Sequence, residues 1–407
     1  MDENIKNKKL GQMTKEELNK LSAKDLANKM IMQLDDIQFD VAKERQEFFK
    51  FISGFNSSRY SYRNCMILYA QACERVYMPV FASMKEWNKQ NALIKSGENG
   101  LFICVPSKFN IYREIRDDKA DVFLPFAFDK NTIQEREKLV KEGKLIKEQR
   151  TTFKFIPTIF SITQTNMPEE EKVKLLQRYN AHNTSEENAE VLKKETELCE
   201  KLGINVNFTS TNNTSLGFVN FVFNEIVVEK NMPVDAQISV LAHELGHYIF
   251  HRHADIRGIG VGNKLYNLSH NNREIQAQLF SHIVLEGLGV DSENEFSLKY
   301  INSYLFKNDN NDVMSLSDVG KSSLHAHLSI VHDQALNIVD LLTKESINEL
   351  DIKKLLDFRP DRYYFNKETK EAVVIPYEKY LKEKEELLNK NGKTKLKAKK
   401  REMIQSM

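Results

Sequence analysis

Val240-Leu241-Ala242-His243-Glu244-Leu245-Gly246-His247-Tyr248-Ile249-Phe250 decides how this chain is read. The apolar residues on both sides of His243 and His247 predict a buried helix, in which positions four apart lie on one face. Both imidazoles then point the same way and can hold one metal ion. Glu244 follows the first histidine, where its carboxylate can take a proton from an attacking water. These residues are the minimum set for zinc-assisted hydrolysis of an amide bond.

Two histidines do not complete such a centre, because a hydrolytic zinc site has three protein ligands and an open position. Downstream, Glu274, Glu286, His270 and His282 are the candidates. Glu274 opens an apolar helix running from Arg273 to Leu288, and Ala277 one turn on is small enough for close packing against the histidine helix. His251 extends the same helical stripe but lies too far along the axis to ligate with His243 and His247. It reads as a residue packing behind the ligands, in a loop or at the surface. Glu286 and His282 read as a solvated helix face. A closed, structural zinc site would need a fourth His or Cys and would leave Glu244 without a task.

The chain has 407 residues, long for one domain, and 41% hydrophobic residues are enough for real cores. Cys65, Cys73, Cys104 and Cys199 show no C-x-x-C spacing, which argues against a disulfide framework and suits a reducing cytoplasm. No signal peptide and no run of about 18 apolar residues is read, so no membrane span is expected. The first 35 or so residues are charged and predicted helical but loosely held, with Thr14 and Glu17 spaced as a capping box. Residues 129 to 151 read as a connecting helix, and Phe153 to Thr163 as a strand. Pro168 with Glu169 to Glu171 opens a new helix. A helix over 185–203, strands over Ile204–Phe208 and Gly217–Val228, and a helical pattern from Leu324 to Leu350 follow. From Lys379 to Met407 the chain is strongly basic and reads as a solvated or frayed helix.

With His251 beyond the motif, and Glu274 three before Ala277, the region resembles the zincin-type metallopeptidase domains of the ImmA/IrrE class. It is equally similar to the C-terminal domain of the ArdC antirestriction proteins. The resemblance implies that His243, His247 and Glu274 bind zinc, a gluzincin-like set, with Glu244 as general base and acid. Where ArdC-like chains often carry an acid after the alanine, this chain has Gln278.

The N-terminal half separates these relatives. Tyr60 to Leu68, the Trp87 helix, Ile94 to Gly100 leading to Val105-Pro106, and Thr158 to Thr165 are similar, in order, to the single-stranded-DNA-binding domain of ArdC. Ser96 and Asn99 stand where lysines are common in that family. Single-strand binders combine basic groups that track phosphates with aromatic faces that stack on bases. Arg59, Tyr60, Tyr62 and Arg63 interleave the two types, as do Lys85, Trp87 and Lys95. Trp87 reads first as core; the Arg59–Arg63 cluster reads equally as contact or as solvated surface.

The expectation is an α+β protein with a helical extension (1–40), an ArdC-like domain (41–166), a zincin-like metallopeptidase domain (167–350) and a basic tail (351–407). The resemblance implies a cytoplasmic, mobile-element antirestriction protein. It would bind single-stranded DNA and carry Zn2+, with a protein substrate such as a repressor or a host restriction component. Two alternatives stay open: a protease that cleaves a transcriptional repressor, and a non-enzymatic DNA-binding protein whose metal is structural.

Overall fold

The computed structural model describes residues 7–34, 42–53, 60–114, 122–124, 129–180, 182–211, 215–253, 260–261, 264–265, 270–291, 318–366, 368–369, 371–386 and 389. After a 3-10 turn at Leu10–Gln12 come α1 (Lys15–Asn19), α2 (Ala23–Gln33), α3 (Ala42–Ile52) and α4 (Tyr62–Arg75). Thr14 and Glu17 close the expected capping box: the Glu17 amide donates to Thr14 Oγ1 at 3.3 Å and the Thr14 amide to Glu17 Oε2 at 2.9 Å. Next are β1 (Phe81–Ser83), α5 (Met84–Lys89), β2 (Leu101–Glu114), β3 (Val122–Phe123), α6 (Lys130–Lys141) and β4 (Leu145–Ser161). The strands form one antiparallel sheet in the order β1-β4-β2-β3. Gly97, at φ +85°, makes the tight turn ahead of β2, a conformation that costs glycine little.

The C-terminal half begins with α7 (Glu169–Asn180) and α8 (Ser185–Lys201). A mixed sheet, order β5-β7-β6, is built from β5 (Asn205–Thr209), β6 (Gly217–Asn220) and β7 (Glu225–Glu229). Asn224, at φ +48°, turns the chain from β6 to β7. Then follow α9 (Val234–His251), the short strands β8 (Gly260–Val261) and β9 (Lys264–Leu265), α10 (His270–Leu288), α11 (Asp318–Thr343), α12 (Glu349–Asp357), and the hairpin β10 (Arg362–Asn366) with β11 (Glu371–Ile375). Helices and sheets in two successive regions make the chain α+β, as its sequence implies. No helix among the described residues is long and apolar enough to cross a membrane.

One apolar core runs through both halves. Leu241, Leu245, Ile249 and Phe250 of α9 meet Leu279, Phe280 and Ile283 of α10, with Leu324, Leu328 and Val331 of α11 in the same cluster. Phe48, Phe49 and Ile52 of α3 join it from the N-terminal half. Each such large side chain, fully buried, contributes about 2 kcal/mol.

Four expectations change. The N-terminal segment is not loosely held, since Leu10, Leu18, Leu26 and Met30 are buried in the shared core. Only 130–141 of the Lys/Glu-rich stretch is helical. From Leu145 the chain is strand, because β2 supplies a continuous antiparallel partner from Leu101 to Glu114. The helix expected over 324–350 breaks after Thr343, and α12 starts afresh with Asn348 accepting from the Asp351 amide at 2.9 Å. The basic tail is folded at its start, where α12 sets Leu355 in the main core and the β10–β11 hairpin with a helical stretch over 377–386 holds Ile375 and Tyr380 buried. Beyond residue 386, all but residue 389 of the tail lies outside the described residues.

Candidate metal centre

Pro233 precedes α9, and Asp235 in its first turn complements the positive end of the helix dipole. Gly246, inside α9, faces α10: a Cβ there would sit 2.9 Å from Phe280 Cδ1 and 3.2 Å from Ala277 Cα. Only glycine against alanine permits this approach, which carries Glu274, in the first turn of α10, to the two histidines. His243 Nε2 lies 3.3 Å from Glu274 Oε2, and His247 Nε2 lies 3.4 Å from Glu274 Oε1. Among the described residues these three form the group of His, Cys, Asp and Glu side chains whose ligand atoms converge, all within 4.8 Å. Tetrahedral ligation at about 2.1 Å separates ligand atoms by about 3.4 Å, so the spacing fits a zinc-sized ion. Two imidazole nitrogens and a carboxylate are also a donor set that zinc favours.

Glu244 is buried beneath β6. Gly217 of β6 leaves room there, since a Cβ would lie 2.4 Å from Val240 Cγ1 and 3.6 Å from Glu244 Cγ. Burial raises the Glu244 carboxyl above the usual range; His243, His247 and a hydrogen bond from the Val219 amide oppose the rise, and Glu274 adds to it. Glu274 is held below the usual carboxylate range: burial works against its charge, but hydrogen bonds to His243 and His247 outweigh it. For His243, burial favours the neutral ring, yet Glu274, Glu244 and Gln278 together raise its affinity for a proton.

The other candidates are not part of this converging group. His270 is exposed, with Nδ1 3.4 Å from Glu274 Oε1. His282 and Glu286 are not on a solvated face; both are buried, with the His282 ring stacked on Phe49 at 5.1 Å. Helix α10 is covered by α9, α11 and α3, and so has no wet side there. His251 is buried, its Nδ1 3.0 Å from His247 Nδ1 and its Nε2 3.0 Å from Gln276 Oε1. Gln276 gave no signal in the sequence, although it falls within one turn of Glu274 on α10, whereas Gln278 is the position where the resemblance marks a departure.

The residues expected to touch nucleic acid do not gather. Arg59 lies outside the described residues. Tyr60 is half-buried, and Tyr62 is buried with its hydroxyl 3.2 Å from His325 Nδ1. Trp87 is 1% exposed and its indole N–H donates to the Phe160 carbonyl at 2.9 Å. Tyr62 and Trp87 are therefore core residues because of the apolar area each hides, which corrects the stacking role for both and agrees with the first reading of Trp87 as core. Lys85 is exposed, as is Lys95, whose Nζ donates to the Thr163 carbonyl at 2.9 Å. Arg63 is half-buried with its guanidinium 4.8 Å over the ring of Phe153, which is 54% exposed. Sequence reasoning missed Phe153, because the two residues meet only once α4 packs on β2, the strand that pairs with β4.

Comparison with known proteins adds to this geometry. Residues 21–155 match the N-terminal domain of the anti-restriction factor ArdC, and residues 199–286 match the IrrE N-terminal-like domain, a peptidase family. An uncharacterized protein of Bacillus anthracis is 25% identical over 388 residues, 91% of this chain. The chain spans 58% of that relative's length. Crystal structures of the antirestriction ArdC protein from the R388 plasmid, metal-free and Mn(II)-bound, are 12% identical, with TM-scores of 0.39 and 0.37. They cover 79% and 83% of this chain, and 98% and 100% of their own. An ArdC-type N-terminal domain and an IrrE-like peptidase domain thus follow one another on a single chain, which is an ArdC-like protein of two domains.

Proposed function

We propose that the chain is a zinc-dependent peptidase joined to a domain that binds single-stranded DNA. The observation that carries the first half is the convergence of His243, His247 and Glu274, whose ligand atoms lie within 4.8 Å of one another, with the buried carboxyl of Glu244 on the same helix. Zinc bound there would supply Lewis acidity, polarising the scissile carbonyl and making water a better nucleophile. Glu244 accepts the proton of the attacking water, and its raised pKa suits it to return that proton to the departing amine. His243, His247 and Glu274 would hold the ion, and the Gly246–Ala277 contact keeps them in register. β6 is the terminal strand of its sheet and lies over Glu244, so an extended peptide can pair along it, with the half-exposed Phe218 as an apolar contact.

In the N-terminal half, Arg63 over Phe153, with Lys85 and Lys95 exposed, offers a cation and an aromatic face to a single strand. We read the whole as a mobile-element antirestriction protein acting in the cytoplasm, where a host restriction component or a repressor is its protein substrate. Relatedness to the ArdC N-terminal domain supports that reading.

Glu244→Gln tests the chemistry on fluorescein-labelled casein. Cleavage should fall about 100- to 10,000-fold while zinc content stays that of wild type. Cleavage undiminished in the variant, or insensitive to chelation, overturns the mechanism. Binding of a labelled oligothymidylate should weaken steeply with salt and weaken further in Arg63→Ala. No retention of the oligonucleotide at low salt would refute the second half.

A further inference from the structure

A paired β-ribbon has two faces, and alternate residues of each strand fall on each face. Where β2 runs beside β4, one face starts with Cys104 opposite Phe155, both buried in the main core. Three further pairs follow on that face: Pro106 with Phe153, Lys108 with Thr151, and Asn110 with Gln149. All six of these residues are exposed. At the next pair, Tyr112 with Lys147, the face is covered again. There Glu137 of α6 accepts from the Tyr112 hydroxyl at 2.7 Å and from Lys147 Nζ at 2.6 Å, and the Arg136 guanidinium lies 5.5 Å over the Tyr112 ring. At the near end Arg63 of α4 reaches over Phe153. The face is thus a trough, bare along its floor and walled by α4 and α6. From Pro106 to Tyr112 it runs about 20 Å at the rise of an extended strand.

We propose that this trough on the β2–β4 ribbon is the path of a single nucleic-acid strand. The path rests on the single-strand binding proposed above and gives it a place on the chain. Its floor carries a cation, Lys108, and no acid, and Arg63 adds a second positive charge, so the trough attracts phosphates. Phe153, 54% exposed, offers a ring on which a base can stack. The Asn110 and Gln149 amides stand opposite one another, and each brings donors and an acceptor to base edges. Glu137, the acid at the far wall, is already engaged by Tyr112 and Lys147. The reverse face has a different balance: Glu148 stands on it, 3.2 Å from Arg113 and 3.5 Å from Arg150. A ribbon that reads a duplex projects into the major groove, whereas this face is recessed between two helices. At about 3.4 Å per stacked nucleotide the trough holds about six nucleotides, and fewer if the strand is extended.

Fluorescence anisotropy of a fluorescein-labelled oligothymidylate with the full chain, at low salt, tests the path. Thr151→Glu sets a negative charge on the floor of the trough. Thr152→Glu sets the same charge one residue on, on the reverse face. Both positions are exposed, so neither variant disturbs the core. Affinity should fall about 10-fold or more in Thr151→Glu and stay within about twofold of wild type in Thr152→Glu. Phe153→Ala should lose about 5- to 100-fold, the loss of one stacked base. Lys108→Gln should flatten the slope of log affinity against log salt by about 0.7, the share of one phosphate on a single strand. Equal losses in the two threonine variants, or no loss in either, overturn the path. So does a duplex that displaces the oligothymidylate as well as an unlabelled single strand does, since the ribbon would then be reading a major groove. Wild type that retains no oligonucleotide even at low salt would instead sink the single-strand reading itself, and the path with it.

Discussion

Glu195 of α8 is wholly buried, and among the described residues neither of its carboxylate oxygens has a hydrogen-bond partner. Burial raises its pKa well above the ordinary 4.5, which favours the protonated form in the fold. An acid with a raised folded pKa weakens the fold as pH climbs past 4.5, because the unfolded chain releases the proton more readily. Glu195→Leu removes both the unsatisfied polar group and this dependence. Its thermal unfolding should show a gain of about 1–3 kcal/mol near neutral pH. The gain should shrink as pH falls below 4.5, where the unfolded form of wild type also takes up the proton. No gain at any pH would mean that Glu195 has a use the fold does not reveal. In the sequence Glu195 is one acid among many in a charged helix; only the packed structure singles it out.

At the scale of elements, the spacing of α9 from α10 makes the centre. Gly246→Val would drive a branched side chain into Phe280 and the Ala277 backbone, at a cost of about 1–3 kcal/mol by calorimetry. Zinc affinity should fall more in Gly246→Val than in a control such as Leu328→Ala, whose side chain lies in the core on α11. Equal affinity in the two variants would show that the helix separation does not set the ligand geometry. These two helices were legible in sequence because their signals are local. Histidines four apart, a glycine between them, and an acid one turn before an alanine all lie within single elements. What escaped were features made by partners. Helix α10 carries His282 and Glu286 inward because other helices cover every side. Leu145 to Thr151 looks helical by its charges, yet extends as strand because β2 lies alongside. Arg63 and Phe153 meet only in three dimensions, so no window of sequence contains both.

For the whole molecule, the continuity of the core means that the N-terminal and C-terminal halves are coupled where α3 and α4 meet α10 and α11. His332 of α11, fully buried, sits at that junction. Its Nε2 lies 2.7 Å from the carbonyl of Ile52, the last residue of α3, and its Nδ1 lies 3.1 Å from Asp333 Oδ1. Both nitrogens face acceptors, so the ring satisfies both only as an imidazolium, whose charge also suits the negative end of α3. The Cys65 sulfur lies 3.8 Å away, and the Tyr62 ring packs at 5.8 Å. Burial opposes the charge, but Cys65, Asp333 and the Ile52 carbonyl outweigh it and raise the pKa from 6.5 to about 10. A histidine whose folded pKa is raised stabilises fully below 6.5, and that contribution is lost as pH climbs to about 10. The Tm of wild type should therefore decline across this window more steeply than that of His332→Leu. The variant should already be less stable at pH 6, having left the Ile52 carbonyl without its donor. Amide exchange should quicken first in residues 48–53, the end of α3 that the imidazolium holds. Parallel Tm profiles for the two proteins would mean that His332 is neutral in the fold and that the halves are joined by apolar packing alone.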